Sequence, residues 1–394
     1  MQNIKIYIIA GEASGDILGA KLMEALRSQS ADYMDFHGVG GDRMVGHGLH
    51  SLFPMSDISV MGFAEIVPHI PRVLKRIKQT VNDILKVRPD VLVTIDSPGF
   101  CCRVAEKLQG KGIKIIHYVA PTVWAYKPKR AEKFARLFNH ILLLLPFEAP
   151  YFDKVGLANT YVGHPIIEDS KVKGDANKFL AKHKIKTTEK ILCVMPGSRI
   201  TEIKRLMPIF CSALSKIVFE DVAVRPVIIT VPFLREAINK YSWKLPHNTL
   251  IIDSPIEKYD VFAASKAALA KSGTGTLELS LSNVPVVVTY KISWISYMLI
   301  KSLIKVKYAN LLNLVKDKEI VPEFMQNQCK SELLADATLK LLKDENHAKS
   351  QVKEAKEALT MLGLGSEMSP SVKAASVVLD VVAQVRAGKK PYQY

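Results

Sequence analysis

At 394 residues the chain exceeds what one hydrophobic core ordinarily supports and suits two domains of about 100–200 residues each. Its 48% hydrophobic and 23% charged residues, with 21 Gly and 20 Pro, exclude a disordered or collagen-like chain. Fifty-four Lys and Arg against 38 Asp and Glu leave a net +16, a field that favours an anionic partner: nucleic acid, an anionic membrane or a phosphorylated substrate. Nine of the basic residues fall between Arg103 and Arg136, opposed only by Glu106 and Glu132, although part of any such run is a solvated helix face.

In chain order, short β-branched runs predict strands over 4–10, 36–40, 91–95, 113–119, 141–145 and 160–162. A second series follows over 191–195, 227–231, 250–253, 267–270 and 286–290. Nearly continuous apolar strands alternating with helical periodicity indicate parallel sheets covered on both faces. The two series separate at Gly163-His164-Pro165, so the expected domains are 1–164 and 165–394, the second including the helical region from Ser331 to Arg386. Each half opens with a strand that runs into a small-residue loop and then a helix. Ligands of such sheets lie beyond the carboxyl ends of the strands, so two domains of this kind would face each other across a cleft with one substrate on each wall. The tail residues Lys389 and Lys390 read as a frayed end.

Three strand-end motifs are candidates for chemistry. Lys271-Ser272-Gly273-Thr274-Gly275-Thr276-Leu277-Glu278 follows a predicted strand and opens a helix, so its backbone N–H groups suit a diphosphate and Glu278 suits ribose hydroxyls. The same residues also make a tight turn with a hydroxyl cap and a first-turn carboxylate, and the motif alone does not separate the two readings. Pro196-Gly197-Ser198-Arg199 places an arginine whose planar fork matches phosphate oxygens; the plainer alternative is a surface Arg199–Glu202 pair. Asp96 ends a predicted strand ahead of Ser97-Pro98-Gly99, where a carboxylate can serve as general base or merely steady a helix start capped by Ser97.

Gly11-Glu12-Ala13-Ser14-Gly15-Asp16 offers close ligand approach but lacks the third glycine of a dinucleotide fingerprint. The histidines show no metal-binding spacing, and His164 reads as a hinge or core residue; no metal and no cofactor is expected. The five cysteines, Cys101, Cys102, Cys193, Cys211 and Cys329, form no C-x-x-C pair and read as buried thiols of a reducing compartment. The amino-terminal apolar run is too short for a signal peptide, and no stretch reaches the length of a spanning helix; the candidates are 141–145 and the uncharged run 292–300. The expectation is a cytoplasmic protein whose membrane contact is peripheral.

Taken together, these motifs resemble the lipid-A-disaccharide synthase family, glycosyltransferases built from two Rossmann-like domains (the GT-B type). The ordered set also includes Phe36-His37-Gly38-Val39-Gly40-Gly41, the stretch 59–67, Asp96-Ser97-Pro98-Gly99-Phe100 and Tyr118-Val119-Ala120-Pro121-Thr122-Val123-Trp124-Ala125, and it covers nearly the whole chain. The resemblance implies an inverting hexosyltransferase. UDP-2,3-diacylglucosamine gives its sugar to 2,3-diacylglucosamine 1-phosphate, forming a β-1,6 disaccharide and UDP on the way to lipopolysaccharide. It implies Asp96 as the essential carboxylate, either base or positioning group. Substrate contacts would come from Ser14, Gly15 and Asp16 on the acceptor side. On the donor side they would come from Gly197, Ser198, Arg199, Ser272, Gly273, Thr274, Glu278 and Asn313, with Asn310 as the neighbouring alternative to Asn313.

Diacylated sugars stay in the bilayer because each buried methylene is worth about 0.8 kcal/mol, so such an enzyme must go to the membrane. The apolar stretch from Val60 and the helical stripe Ile70, Val73, Leu74, Ile77, Val81, Ile84 supply a surface. One stripe cannot face sheet and lipid at the same level. The expected membrane contacts are therefore Met61, Phe63, Ile66, Val67 and Ile70, with Arg72, Lys75 and Arg76 reaching anionic headgroups on the inner membrane. Two rivals remain at this stage: a UDP-sugar epimerase of the same architecture, and a non-enzymatic basic membrane-binding protein. No RNA-binding signature is present, so nucleic acid is not an expected partner. Acyl-chain preference and oligomeric state, a homodimer included, are left open.

Overall fold

The computed structural model describes residues 3–59, 70–125, 128–294, 297–298 and 306–388. Two wholly parallel sheets form around the runs read from the sequence. The first has seven strands, β1 (Asn3–Ala10), β2 (Tyr33–Val39), β3 (Leu49–Ser51), β4 (Val91–Ile95), β5 (Ile115–Tyr118), β6 (His140–Leu143) and β7 (Asn159–Tyr161), in the order β3-β2-β1-β4-β5-β6-β7. The second has six: β8 (Lys190–Met195), β9 (Val224–Ile229), β10 (Leu250–Ile252), β11 (Ser265–Lys271), β12 (Val286–Tyr290) and β13 (Glu323–Met325), in the order β10-β9-β8-β11-β12-β13. Strand order reverses between β1 and β4 in one sheet and between β8 and β11 in the other. Those two reversals are where an open parallel sheet offers a ligand crevice.

The pleat explains how the first sheet is covered. Tyr7 and Ile9 of β1 join a core with Ile77, Val81, Ile84, Val104 and Phe134. Ile6, Ile8 and Ala10 point to the opposite face, onto Leu18, Leu22 and Leu26. Sharing that second face is the last described helix, Pro370–Arg386, through Ala374, Ala375, Val378 and Val382. Arg386 grips the Asp90 carboxylate at 2.8 and 2.9 Å and the Asn3 carbonyl at 2.6 Å, while Gln29 Nε2 donates to Val372 O at 2.8 Å.

The chain thus divides into residues 1–165 with 365–394, and residues 166–364. The sequence reading divides the chain into 1–164 and 165–394, whereas the compact units join 365–394 to the first sheet. The closing helix returns to the first sheet because its stripe of small and β-branched residues completes that sheet's uncovered face. The helices Ser331–Lys343 and Glu345–Met361 stay with the second unit, through Leu334, Leu339, Leu342 and Ala348.

Val378 is wholly buried. Val378→Ala is therefore expected to destabilise the first unit by about 2 kcal/mol. Hydrogen exchange would read it as lost protection in the helix Ala13–Gln29. Protection lost instead in Ser331–Lys343 would place the helix wrongly.

All five cysteines are buried and unpaired, and burial raises the thiol pKa of each. No described helix is long and apolar enough to cross a membrane.

Candidate active site

At the β1/β4 reversal, the loops after the two strands come into direct contact. A Cβ on Gly11 would stand 2.4 Å from Ser97 Oγ, so glycine is what lets the backbones approach. Gly15 is buried in the first turn of the helix Ala13–Gln29, and Ser14 beside it is exposed. Asp16, expected among the substrate contacts, is committed elsewhere. Its carboxylate accepts from Gly41 N (2.8 Å), Arg43 N (3.1 Å) and Met44 N (3.1 Å), capping the short helix Asp42–Gly46. It builds the loop rather than facing a ligand.

Asp96 follows β4 directly. Its N–H donates to Tyr118 O at 2.9 Å, which fixes it to the end of β5. Asp96 and Ser97 both adopt left-handed backbone conformations, at φ +50° and +46°, and Val119 at the end of β5 does so at φ +80°. Three non-glycine residues in that region at adjacent strand ends amount to local strain of the kind that clusters at ligand sites. Partial burial raises the Asp96 pKa above the ordinary carboxylate value, against the opposing hydrogen bond from the Ser97 backbone. Ser97 does precede the helix Pro98–Leu108 with proline in its first turn, as expected, but its side chain makes no capping bond.

The loops after β5 and β6 are tied together by Glu148, which the sequence did not single out. Its carboxylate accepts from Trp124 Nε1 (3.2 Å), Leu144 N (3.2 Å) and Leu145 N (3.0 Å). Burial nevertheless pushes its pKa up to about 7. His164 is held neutral: desolvation first, then the nearby Lys21 charge, takes its pKa down to about 4.

The β8/β11 reversal opens onto a cavity of about 470 Å³. On one side are Gly197, Ser198 and Arg199, ahead of the helix Ile200–Glu220; on the other are Gly273, Thr274 and Gly275, at the start of the helix Thr274–Leu281. Gly197 is required at φ +121°, where a Cβ would also collide with Glu202. Glu202 organises this wall: Oε2 accepts from Ser198 N (2.9 Å) and Arg199 N (3.3 Å), and Oε1 pairs with Lys271 Nζ at 3.0 Å. The Arg199–Glu202 relation is therefore a loop clamp through the backbone.

Glu278 lines the cavity with Oε1 on Lys258 Nζ at 2.8 Å. Lys258 pairs with Glu278 and Lys271 with Glu202, and Arg199 is exposed beside the N-terminus of the helix Ile200–Glu220. Such a wall suits an anion with two phosphates. Glu278 also borders a separate cavity of about 480 Å³, lined among others by Asp169, Ser170, Val172, Lys173 and Asn283.

Two expected donor contacts face inward instead. Ser272 is buried, with its hydroxyl donating to Ala309 O at 3.3 Å. Asn313 is 0% exposed. Its Oδ1 accepts from Ile320 N and Val321 N (both 2.9 Å), and its Nδ2 donates to Val321 O and Glu323 Oε1 (both 2.7 Å). Asn310 is buried too, bonded to Thr276 Oγ1 and Leu312 N. Asn310 thus ties to the helix Thr274–Leu281 through Thr276 Oγ1, and Asn313 braces the turn at 320–323, so both side chains are bonded inward. Lys258, Lys271 and Thr230 were missed as site residues. Lys258 lies in the short helix Glu257–Ala264, and only the fold brings it beside Glu278.

Met61, Phe63, Ile66 and Val67 lie outside the described residues. On the helix Ile70–Val87, Ile70 is 40% and Leu74 50% exposed, whereas Ile77, Thr80, Val81 and Ile84 are buried. Arg72 and Lys75 are exposed. Arg76 is not available to headgroups: it holds Asp57 Oδ2 at 2.5 and 2.8 Å and Gln79 at 2.6 Å, and lies 4.6 Å over the Phe53 ring. Among the described residues no cluster of three His, Cys, Asp or Glu is placed to hold a metal ion.

The model of the family described as "Lipid-A-disaccharide synthetase" matches residues 6–377. Curated relatives called lipid-A-disaccharide synthase include that of Rhodospirillum centenum, 44% identical over 98% of this chain and 96% of its own length. That of Paramagnetospirillum magneticum is 43% identical over 96% and 98%. Among solved structures, the glycosyltransferase of kitacinnamycin superposes with a TM-score of 0.64 at 14% identity, covering 97% of this chain and 100% of its own. The UDP-GlcNAc 2-epimerase from Neisseria meningitidis, bound to UDP-GlcNAc, superposes at 0.62 with 10% identity, covering 97% and 100%. These structural likenesses establish the fold, two Rossmann-like sheets, and both enzyme classes share it.

Proposed function

The chain belongs to the lipid-A-disaccharide synthase family, and we propose that it joins UDP-2,3-diacylglucosamine to 2,3-diacylglucosamine 1-phosphate as that family's inverting hexosyltransferase. The observation that carries the reading is the match over residues 6–377, reinforced by relatives above 40% identity along almost the full chain. The epimerase alternative rests on fold alone, at 10% identity, and the non-enzymatic alternative leaves both strand-end sites without a purpose.

In this reading the second unit holds UDP. The diphosphate lies against the backbone of Gly197, Ser198, Gly273 and Thr274, Arg199 meets the charge that grows as UDP departs, and Glu278 accepts from the ribose. Asn313 and Ser272 support that wall from behind. The first unit takes the acceptor sugar, with Ser14 and Gly15 at its loop and Asp96 as base. The acceptor 6-hydroxyl attacks C1 of the donor sugar as the bond from C1 to the diphosphate oxygen breaks on the opposite face. The hydroxyl proton passes to the Asp96 carboxylate. A partly desolvated carboxylate is a better base than a fully solvated one, because its proton affinity is raised. No metal or cofactor is required by these steps. Incubation with both diacylated substrates, followed by mass spectrometry, should give the disaccharide 1-phosphate and UDP. Conversion of UDP-N-acetylglucosamine to an epimer without disaccharide would reverse the assignment.

The same reading places the enzyme on an anionic membrane, through Ile70 with the adjoining Met61, Phe63, Ile66 and Val67. Leu74 joins them, with Arg72 and Lys75 at the headgroups. Because Ile70 and Leu74 are already exposed, replacing both with serine should reduce binding to anionic vesicles without lowering the melting temperature. A marked loss of melting temperature with vesicle binding unchanged would assign them to the core.

A further inference from the structure

Thr230 follows β9 directly, and its N–H donates to Ile252 O at 2.9 Å, fastening it to the end of β10. The residue is 9% exposed and lines the donor cavity. Among the described residues of that cavity, it alone has a buried side-chain oxygen with no hydrogen-bond partner. A buried hydroxyl without a partner costs free energy, and proteins rarely keep one unless something else completes it.

The position of the hydroxyl indicates what completes it. The glycine loops and Arg199 sit at the ends of β8 and β11, while β9 and then β10 lie on the far side of β8 from β11. A diphosphate at the reversal leaves the rest of the ligand to extend along the sheet edge. Toward β9 and β10 the wall changes character, to Ile229, Val231 and Pro255, with the Thr230 hydroxyl and with Ser254, whose Oγ already accepts from Glu257 N at 3.3 Å. Asp253, the charged group there, is paired with Arg235 at 2.9 Å. A largely apolar wall with one hydroxyl lacking a protein partner does not suit a sugar, whose many hydroxyls need several partners. It suits a flat, uncharged ring with a few polar edge atoms.

We propose that the Thr230 hydroxyl, which has no hydrogen-bond partner within the protein, is a nucleobase-recognition group completed by a polar edge atom of the donor's base. The inference rests on the UDP-sugar reading of the cavity. It adds a consequence for the free protein: the atom that contributes to nucleotide affinity detracts from the stability of the unliganded fold.

Thr230→Val keeps the shape and removes the hydroxyl; Thr230→Ser keeps the hydroxyl. Calorimetry with UDP and with inorganic pyrophosphate, on the whole protein and both variants, separates the outcomes. Thr230→Val should bind UDP about 3- to 10-fold more weakly and pyrophosphate unchanged. Thr230→Ser should retain most of the UDP affinity, and the melting temperature of unliganded Thr230→Val should equal or exceed that of the native protein. Equal UDP affinity in Thr230→Val overturns the inference. So does an equal loss for UDP and pyrophosphate, which would move the hydroxyl to the phosphates, and so does a lowered melting temperature, which would make it structural. Failure of the native protein to bind UDP at all would instead remove the donor reading on which the inference stands.

Discussion

Asp96→Asn is expected to leave the protein folded and to lower turnover by about 100-fold or more, the ordinary consequence of losing a general base. Asparagine is the informative replacement. Asp96 sits at φ +50°, and asparagine tolerates the left-handed region almost as well as aspartate, so the substitution removes the charge without forcing the backbone. The pH dependence gives a second reading. Desolvation raises the Asp96 pKa in the folded protein, so the acid limb of kcat/KM should lie above the usual carboxylate value of about 3.9. Activity should fall as pH drops through that limb, because the protonated acid cannot accept the 6-hydroxyl proton. The limb should be absent from the residual activity of Asp96→Asn. A folded variant with near-native turnover, or one that keeps the same limb, would dismiss Asp96 as the base.

The sheets were legible because parallel strands buried on both faces must be apolar almost throughout, as β4 and β12 are but for Thr94 and Thr289 and the closing Tyr290. β3 and β13 escaped notice because three-residue edge strands, Leu49–Ser51 and Glu323–Met325, carry no apolar run. The return of the helix Pro370–Arg386 was hidden for another reason. Its stripe of Ala374, Ala375, Val378 and Val382 says that it packs, but nothing in the order of the chain says on which sheet.

The candidate site divides along a similar line. Glycine and hydroxyl loops after strands mark where ligands go, and Gly11, Gly197 and Gly275 do stand where a side chain would collide with neighbours. What the motifs conceal is the direction each polar side chain takes. Asp16, Ser272 and Asn313 look like ligand contacts in sequence, yet their partners are backbone groups near 41–44, 309 and 320–323. Those partners are supplied by tertiary structure. Lys258 and Thr230 illustrate the converse: one lies on an unremarkable helix and the other ends a strand, and only the sheet order brings them to one cavity.

Arg199→Ala should weaken UDP binding and slow turnover by a further factor, about 100-fold in kcat, because its positive charge matters most when the departing diphosphate carries most charge. The surroundings make the expectation specific. Lys258 and Lys271 are each neutralised by a glutamate at 2.8 and 3.0 Å, so the lysines are held by the protein before a ligand arrives. Arg199 stands exposed at the start of the helix Ile200–Glu220, and its backbone N–H donates to the Glu202 carboxylate. A near-native melting temperature of Arg199→Ala would show that the Glu202 backbone bonds keep the loop in place. Arg199→Lys separates charge from shape: lysine restores the charge but not the planar fork that meets two oxygens at once, so it should recover part of the UDP affinity and less of kcat. Glu202→Gln acts differently. It loosens Ser198, Arg199 and Lys271 together, and should raise the UDP dissociation constant even with Arg199 intact. Unchanged UDP affinity and unchanged kcat in Arg199→Ala would take the arginine out of the donor site, and a loss confined to affinity would show that it binds UDP without assisting its departure.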